Sequence, residues 1–526
     1  MKKRGVVAAG HAATAQAAAS VLADGGNAVD AALAAVCAAC VAEPVLASLG
    51  GGGFLLVHAG DGRYAGQSLV YDFFVQTPGR RRPPGAIQFH PVFADFGPAR
   101  QEFHIGLGAT ATPGVVRGLF EAHRDAGSMP MRDIVRPAID LARDGVVIES
   151  LQAYIISVVQ AILISTEESR RLFASPAQPN RLVAAGERLR WPEFADVLDI
   201  LAIEGDDLFY RGEIAQRIAA ASDSSGGHLG LDDLKHYRVE RRRPLAMDAF
   251  GARVLMNPPP STGGLLIAFA LELLRAMPWR ADGFGSAETL VRLSRVMAAT
   301  NRARTESGLG IGDIDQAVET LKRADLIERY RNEVHGRPAA PRGTTHISVI
   351  DGDGMAASLS ISNGEGCGHV IAGTGIMLNN MLGEEDINAG GFHAWPENVR
   401  MSSMMTPTVV AGGDGALTAL GSGGSNRIRT AILQVLVNLL VFRRTLPDAV
   451  DAPRLHNENT ALSVEPGFDE GAVAALAATG ATVERWPERN IFFGGVHAAR
   501  REAGGAVIGA GDPRRGGQAL VVASGG

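Results

Sequence analysis

The stretch Arg342-Gly343-Thr344-Thr345-His346-Ile347-Ser348-Val349-Ile350-Asp351 joins two kinds of sequence. Before it, residues 336–343 are rich in Pro and Gly, the composition of an exposed loop. From Thr344 onward polar and β-branched residues alternate, the period-two pattern of a half-buried strand. Two threonines at such a junction suit the start of a strand. They also suit a chemistry. Were the Gly343–Thr344 bond cut, Thr344 would carry its hydroxyl and a free α-amine on one residue. An α-amine has an ordinary pKa near ~8, so part of it is neutral at physiological pH and can act as a base. Nucleophile and base on one residue are a known way of activating a threonine hydroxyl.

Composition narrows the setting. The chain has 526 residues, 46% hydrophobic and 20% charged, which is ordinary globular material with ample core. The 65 glycines fall in short runs without a repeat, which excludes collagen-like and low-complexity readings. A formal charge of -6 gives no electrostatic case for nucleic acid. The triplets Arg80-Arg81-Arg82 and Arg241-Arg242-Arg243 read as solvated loop charge. Three cysteines cannot build a disulfide framework. Cys37 and Cys40 have redox or zinc spacing but lie in an apolar helical run with no second ligand pair, so they read as buried helix residues. No metal or other cofactor is expected. Met1 to Val7 has the charged start of a signal peptide, yet His11, Gln16 and Asp24 interrupt any apolar core, and the segment reads as a structural helix. No run is apolar and long enough to span a membrane, so the expected location is cytoplasmic.

Taken in order, residues 12–23 are Ala-rich and helical, and Gly25-Gly26 stop that helix. Asn27 caps a second helix, residues 28–41, with Asp30 well placed for its dipole. Hydrophobic nearly all round, this helix is expected to be buried between layers. Gly50 to Gly53 open a strand, 54–58, where another backbone can approach closely. A second strand, 69–74, closes a hairpin through Gly60-Asp61-Gly62. Residues 76–105 read as a long irregular excursion of the kind that forms lids. Helices follow from 109 to about 203, strands near Leu245 and Val254, a rigid turn at Asn257 to Gly264, and more helix to about Glu333. Beyond Thr344, Asp351-Gly352-Asp353-Gly354 joins two strands as a hairpin. Short strands are expected at 408–410, 416–420 and 507–510, with a helix at 429–442. Stacked sheets covered by helices account for this order.

Three polar, Gly-rich segments stand apart from core: Asn363-Gly364-Glu365-Gly366-Cys367-Gly368 with Asn379-Asn380, Ser402-Ser403-Met404-Met405, and Gly421-Ser422-Gly423-Gly424-Ser425. Gly-rich backbone leading into a helix offers N–H groups suited to an oxyanion. With Asp24 to Ala32, Thr112-Pro113-Gly114, Pro258 to Gly264, Thr344 to Val349, Gly375 to Asn380 and Asp512-Pro513-Arg514, these segments resemble the γ-glutamyltranspeptidases (glutathione hydrolases), members of the N-terminal nucleophile hydrolases. The resemblance runs from about Ala8 to Arg514. It implies an α+β fold, a four-layer αββα sandwich, and a precursor that cuts itself at Gly343–Thr344. The products would be residues 1–343 and 344–526, two chains intertwined in one domain. It further implies Thr344 as the nucleophile, Gly423 and Gly424 as oxyanion donors, Ser402 and Ser403 on the substrate carboxylate, Asn363 on the glutamyl group and Glu384 on its amine. Partners would be a small γ-glutamyl or similar amide and a water or amine acceptor, with no nucleic acid and no membrane.

The chain departs from the family pattern where the substrate is recognised. The family's carboxylate-binding arginine follows Asp-Phe in a strand; here the strand reads Tyr71-Asp72-Phe73-Phe74, which puts Phe74 in its place. Losing a charge-assisted pair of ~1.5–3 kcal/mol weakens glutamate recognition roughly ten- to hundred-fold. Met381 replaces a usual Gln or Glu, Glu385 and Asp386 are alternatives to Glu384, and Ser360 or Ser362 replaces a second threonine. The leading expectation is a γ-glutamyl amide hydrolase or transferase. A related acylase for glutaryl or cephalosporin-type amides, lacking the α-carboxylate contact, is the alternative. Arg80, Arg81, Arg82 or Arg100 could instead restore the missing cation. An unprocessed, non-catalytic binding protein is the alternative of another class.

Overall fold

A computed structural model of the chain describes residues 5–60, 66–95, 100–275, 277–280, 282–309, 314–322, 343–388, 390–458 and 461–523. The Pro/Gly-rich loop before Gly343, the tip of the first hairpin (Asp61-Gly62) and the side chains of Arg100 and Asp386 lie outside the described residues. Two antiparallel sheets stack face to face. The elements that build them are β1 (Gly5–Ala9), α1 (Ala12–Ala23), α2 (Ala28–Ala42), β2 (Gly52–His58), β3 (Ser68–Phe73) and β4 (Glu240–Arg242). They continue with β5 (Leu245–Ala249), β6 (Ala252–Met256), α3 (Gly263–Arg275), α4 (Ala287–Glu306), β7 (Thr345–Asp351) and β8 (Ala356–Ser362). The last are β9 (Thr408–Gly412), β10 (Leu417–Gly423), α5 (Arg427–Leu440), β11 (Gly495–Arg501), β12 (Val507–Ala510) and β13 (Gln518–Val522). The first sheet has the order β13-β1-β7-β8-β2-β3-β4 and the second β12-β11-β10-β9-β6-β5. Helices α1 and α2 pack on the outside of the first sheet and α3 and α5 on the second, so the layers run αββα. Each sheet contains strands from both before and after Gly343.

Local chemistry explains most of these elements. The Asn27 side chain accepts hydrogen bonds from the N–H groups of Val29 and Asp30, and the Asp30 carboxylate accepts one from the Asn27 N–H, a complete capping box for α2. Every residue of α2 is buried, and its many alanines let it sit between the sheet and the next helical layer. Cys37 and Cys40 are buried thiols in that helix, and burial pushes Cys37 up to about 12. The Gly50–Gly53 run serves close approach: a Cβ at Gly50 would stand 2.3 Å from the Met377 carbonyl oxygen, and one at Gly51 2.3 Å from that of Ser362. Residues 5–9, in the segment expected as a structural helix, instead form strand β1 at full burial between β7 and β13; the helix begins at Ala12. The excursion at 76–105 contains a hairpin, His90–Asp95 with Arg100–Ile105.

Strand β7 is buried along its whole length, where alternation predicted half-burial. Its two faces meet different layers. Ile347 and Val349 join the helix-side core with α1 and α2, where each such side chain stabilises the fold by ~1.5–3 kcal/mol. Ile350 joins the small apolar cluster between the sheets with Val6, Leu56, Val409 and Ala419. Ser348 and His346, two and four residues nearer Thr344 on that same face, are polar, and their partners lie across the interface. Ser348 donates to the His497 carbonyl at 3.1 Å, and Ser358 donates to that of Leu420 at 3.0 Å. With its one proton so used, Ser348 accepts from His346 Nε2 at 2.9 Å, which leaves Nδ1 to accept from Ser360 at 2.7 Å. A neutral imidazole fits that pattern. Buried polar residues need not face water when each has a partner.

Burial holds His346 well below its ordinary pKa and His497 down to about 4. The unfolded chain binds a proton at each near pH ~6.5 and the folded chain does not, so each histidine costs stability as pH falls below that value. For His497 the loss accumulates between the unfolded value and about 4. His497→Gln keeps an acceptor for the Asp512 N–H and removes the titration. Thermal midpoints taken from pH 7.5 to 4.5 are expected to fall less steeply in this variant than in the wild type; parallel profiles would contradict a neutral His497.

Candidate active site

The face of β7 that carries Ile350, Ser348 and His346 leads to Thr344, which is 4% exposed. The Gly343 carbonyl oxygen accepts the Thr344 hydroxyl at 2.7 Å and the Ser362 hydroxyl at 2.8 Å. Ser362 in turn accepts from the Gly364 N–H at 3.1 Å. The Gly343 N–H donates to Glu365 at 2.6 Å. The peptide group before Thr344 is thus held on both sides, with the threonine hydroxyl lying on the carbonyl it would attack. Thr345 points the other way. Its hydroxyl donates to Glu43 at 2.7 Å, and Glu43 also accepts from Thr14 at 2.9 Å. Glu43 is buried, which raises its pKa despite these bonds.

The Thr344 carbonyl is fixed as firmly as the hydroxyl. Arg515 Nη1 donates to it at 3.1 Å. The backbone of Gly423 lies against it, so that a Cβ there would stand 2.1 Å from the Thr344 oxygen. Gly424 has φ +116°, a conformation open to glycine. Gly423 ends β10 and Gly424 follows it, at the turn from that strand to α5. Arg515 itself follows a buried ionic cluster in which Asp512 pairs with Arg454 at 2.6 Å and Arg514 pairs with Glu465 at 2.5 Å.

A cavity of about 30 Å³ opens beside Thr344. Phe74, Met381, Ile387, Met404, Met405 and Ile428 give it apolar walls, and Glu384, Ser362, Ser403 and Ser425 its polar points. Phe74 is buried and stacks on Phe54 at 5.4 Å. No cation lines the cavity among the described residues. Arg400 comes near Phe74 from behind: it donates to the Phe74 carbonyl, faces Asp72 at 3.4 Å and lies 4.8 Å from the Tyr237 ring centre. Arg80 and Arg82 pair with Asp223 at 2.5 and 2.6 Å, and Arg81 donates to the carbonyls of His393 and Trp395 at 2.8 Å. Arg80, Arg81 and Arg82 are thus occupied away from the pocket.

Of the residues singled out in the sequence, Gly343, Thr344, Glu384 and Ser403 share this cavity, and Gly423 and Gly424 adjoin it through the Thr344 carbonyl and Ser425. Ser402 is half-buried and does not line it. Asn363 is buried on the adjoining loop, its amide nitrogen and oxygen without a protein partner among the described residues. Glu385 is exposed, and Glu384 is the acid that faces inward. Ser362, not Ser360, reaches the peptide at Thr344, because Ser360 is spent on His346. Glu365 and Arg515 were not singled out. Glu365 sits within the quoted Gly-rich segment, and Arg515 one residue past Asp512-Pro513-Arg514, but nothing local marks either as facing Thr344. No group of three or more His, Cys, Asp or Glu side chains is arranged to hold a metal among the described residues.

Two stacked antiparallel sheets between helical layers, with a threonine at the start of a central strand, define an N-terminal nucleophile hydrolase fold. The gamma-glutamyltranspeptidase sequence profile matches residues 14–522, and the chain belongs to that family. It is 30% identical to the glutathione hydrolase proenzyme of Escherichia coli, over 97% of this chain and 90% of that protein. It is 29% identical to an acylase ACY 1 proenzyme of Pseudomonas, over 99% and 94%. The crystal structure of a cephalosporin acylase from Bacillus halodurans superimposes with a TM-score of 0.83 at 25% identity, over 99% of this chain and 96% of that one.

Two substitutions separate the site from its surroundings. Gly423→Ala places a methyl group on the Thr344 carbonyl; strain of roughly 1–3 kcal/mol at that contact is expected to cut turnover about ten- to hundred-fold. Arg81→Ala is expected to leave the KM for amide substrates unchanged, since its guanidinium serves Trp395 and His393. Steady-state kinetics on both variants checks the pair.

Proposed function

We propose that the chain cleaves itself between Gly343 and Thr344 and that Thr344 then hydrolyses or transfers an acyl group taken from a small amide. The observation that carries this reading is the Thr344 hydroxyl at 2.7 Å from the Gly343 carbonyl oxygen, on a peptide held by Ser362 and Glu365. In the first reaction the Thr344 oxygen adds to the Gly343 carbonyl carbon and the Gly343–Thr344 bond breaks. The hydroxyl proton goes to the departing Thr344 nitrogen. Water then hydrolyses the ester, leaving the Gly343 carboxylate and an N-terminal Thr344. In turnover that α-amine takes the hydroxyl proton while the oxygen attacks the substrate amide, and the amine product leaves with the proton. The ester passes to water or to an acceptor amine. The Ser362 hydroxyl stabilises the oxyanion formed on Gly343 in self-cleavage, and the N–H groups of Gly423 and Gly424 the one formed on the substrate in turnover.

Within this reading the acyl pocket selects against an α-carboxylate. Phe74, Met381 and the Met404-Met405 pair line the space beside the nucleophile, and no described lining residue is a cation. Desolvating a carboxylate against such walls without a partner is costly. The apolar walls favour an acyl group with an apolar body, which the small cavity would have to widen to admit, with Ser403 and Glu384 as its polar points and Asn363 and Ser402 on the adjoining loops. This is an acylase reading rather than glutathione hydrolysis, narrower than the glutaryl or cephalosporin-type alternative in that a glutaryl group, which keeps the carboxylate, is disfavoured as well; it parallels the similarity to proteins named acylases.

The test compares three anilides in one assay: γ-glutamyl, glutaryl (which keeps the distal carboxylate and lacks the amine) and phenylacetyl. Wild type is expected to have its highest kcat/KM on phenylacetyl anilide. Phe74→Arg is expected to raise kcat/KM on both carboxylate-bearing anilides roughly ten-fold, the worth of one charge-assisted pair. Thr344→Ala is expected to be inactive on all three. A wild type that prefers γ-glutamyl anilide would restore the glutathione-hydrolase reading.

A further inference from the structure

The backbone of Phe74 is gripped at both ends by groups outside the cavity. Asp72 Oδ1 accepts its N–H at 3.1 Å, and the Tyr237 hydroxyl donates to its carbonyl at 2.7 Å. Arg400 Nη1 donates to the Tyr237 oxygen at 2.6 Å and to that same Phe74 carbonyl, and Nη2 donates to the Arg238 carbonyl at 2.5 Å. The Arg400 Nε faces Asp72 at 3.4 Å, and its side chain is 7% exposed. Asp72 is anchored in turn by Arg242 at 2.8 Å. The flanking backbones pair as well: the Met401 N–H donates to the Val75 carbonyl at 3.1 Å and the Thr77 N–H to that of Val399 at 2.9 Å. A planar fork that meets two carbonyls, a hydroxyl and a carboxylate at once is a rigid bracket, which the single ammonium of a lysine does not reproduce.

We infer that Arg400 is a positioning residue that sets acyl-group selectivity by making Phe74 the fixed wall of the pocket. The inference rests on the acylase reading of Thr344. The cavity of about 30 Å³ has room for little more than a water, so its lining must move when an acyl group enters. Phe74 is pinned through its backbone and stacked on Phe54. The backbone of the wall at Ser403 to Met405 is pinned too: Ser261 donates to the Ser403 carbonyl at 2.8 Å, and Asn257 to that of Met405 at 3.1 Å. The most adaptable parts left are the side chains of Met381, Met404 and Met405, which are unbranched and repack readily. Methionines that yield adjust to acyl groups of many shapes, whereas a ring that stays put favours those that pack against it. Arg400 lies on the loop leading into Ser403, so one side chain ties the two walls together.

The test is the ratio of kcat/KM on phenylacetyl anilide to that on acetyl anilide, whose acyl group is too short to use the wall. Arg400→Gln leaves Asp72 paired with Arg242 and Tyr237 bonded to Phe74. It is expected to lower the ratio about ten-fold, chiefly through a higher KM for phenylacetyl anilide. Tyr237→Phe is expected to lower it in the same direction by less. In a Phe74→Ala background the wall is gone, and adding Arg400→Gln is expected to leave the ratio within about two-fold of Phe74→Ala alone. Equal losses on both anilides, or a full effect of Arg400→Gln without Phe74, would overturn the inference and leave Arg400 a merely structural role. Should Arg400→Gln fail to fold, Tyr237→Phe decides alone, and an unmoved ratio there overturns it. Each preparation is first checked for a small chain beginning at Thr344. A wild type without that chain would overturn the self-cleavage reading and the inference with it, whereas an unmoved ratio in cleaved enzyme overturns the inference alone.

Discussion

Thr344 is held by its backbone rather than by its side chain. Arg515 grips its carbonyl from one side, the bare backbone of Gly423 presses from another, and Glu365 holds the N–H of the residue before it. These contacts leave the hydroxyl pointing at the Gly343 carbonyl. The hold depends on β7 lying in the middle of the first sheet with helices on one face and the second sheet on the other. A strand buried on both faces has one register, and a one-residue slip would exchange Thr344 for Thr345. The two adjacent threonines are thereby distinguished: one faces the sheet interface and the cavity, the other is tied to Glu43 under α1 and α2.

The layer between the sheets is graded along β7. At the Ile350 end it is apolar. Through Ser348 and His346 it becomes polar and internally hydrogen-bonded, and at Thr344 it opens into the cavity. The same gradation brings chemistry and specificity together from distant parts of the chain. Phe74 arrives at the end of β3, Met381 and Glu384 from the loop after Asn380, Ser403 and its methionines from the approach to β9, and Ile428 from α5. The family scaffold around Thr344 is thus combined with an apolar wall at Phe74, the position where the family resemblance puts a carboxylate-binding arginine. Arg400, the cation closest to that wall in the sequence of the Ser402-Ser403 loop, is turned outward to Asp72 and Tyr237, so its charge does not substitute for the missing arginine.

Much of this was legible in the residues. Capping by Asn27 and Asp30, the all-round apolar α2, the close-approach glycines and the Asp351–Gly354 hairpin each follow from local chemistry and recur in the structure. The alternation after Thr344 identified a strand but misjudged its burial, because period-two patterning does not distinguish a face toward water from one toward hydrogen-bonding partners in a second sheet. Strand β1 escaped notice since five small residues carry little pattern of their own; long-range pairing with β7 and β13 makes it a strand. Glu365 and Arg515 escaped for the same reason. They are adjacent to Thr344 in space and 21 and 171 residues away in sequence, counted from Thr344 to Glu365 and to Arg515. The departure at Phe74, by contrast, was visible at once, and its consequence became physical when the excursion's described arginines proved to be engaged elsewhere.

The most direct measurement of the central claim is the intact mass and N-terminal sequence of the purified protein after maturation. Two polypeptides are predicted, the smaller beginning Thr344-Thr345-His346, with Thr344→Ala remaining a single chain. A wild-type protein that stays one 55.0 kDa chain while hydrolysing amides at full rate would contradict the account.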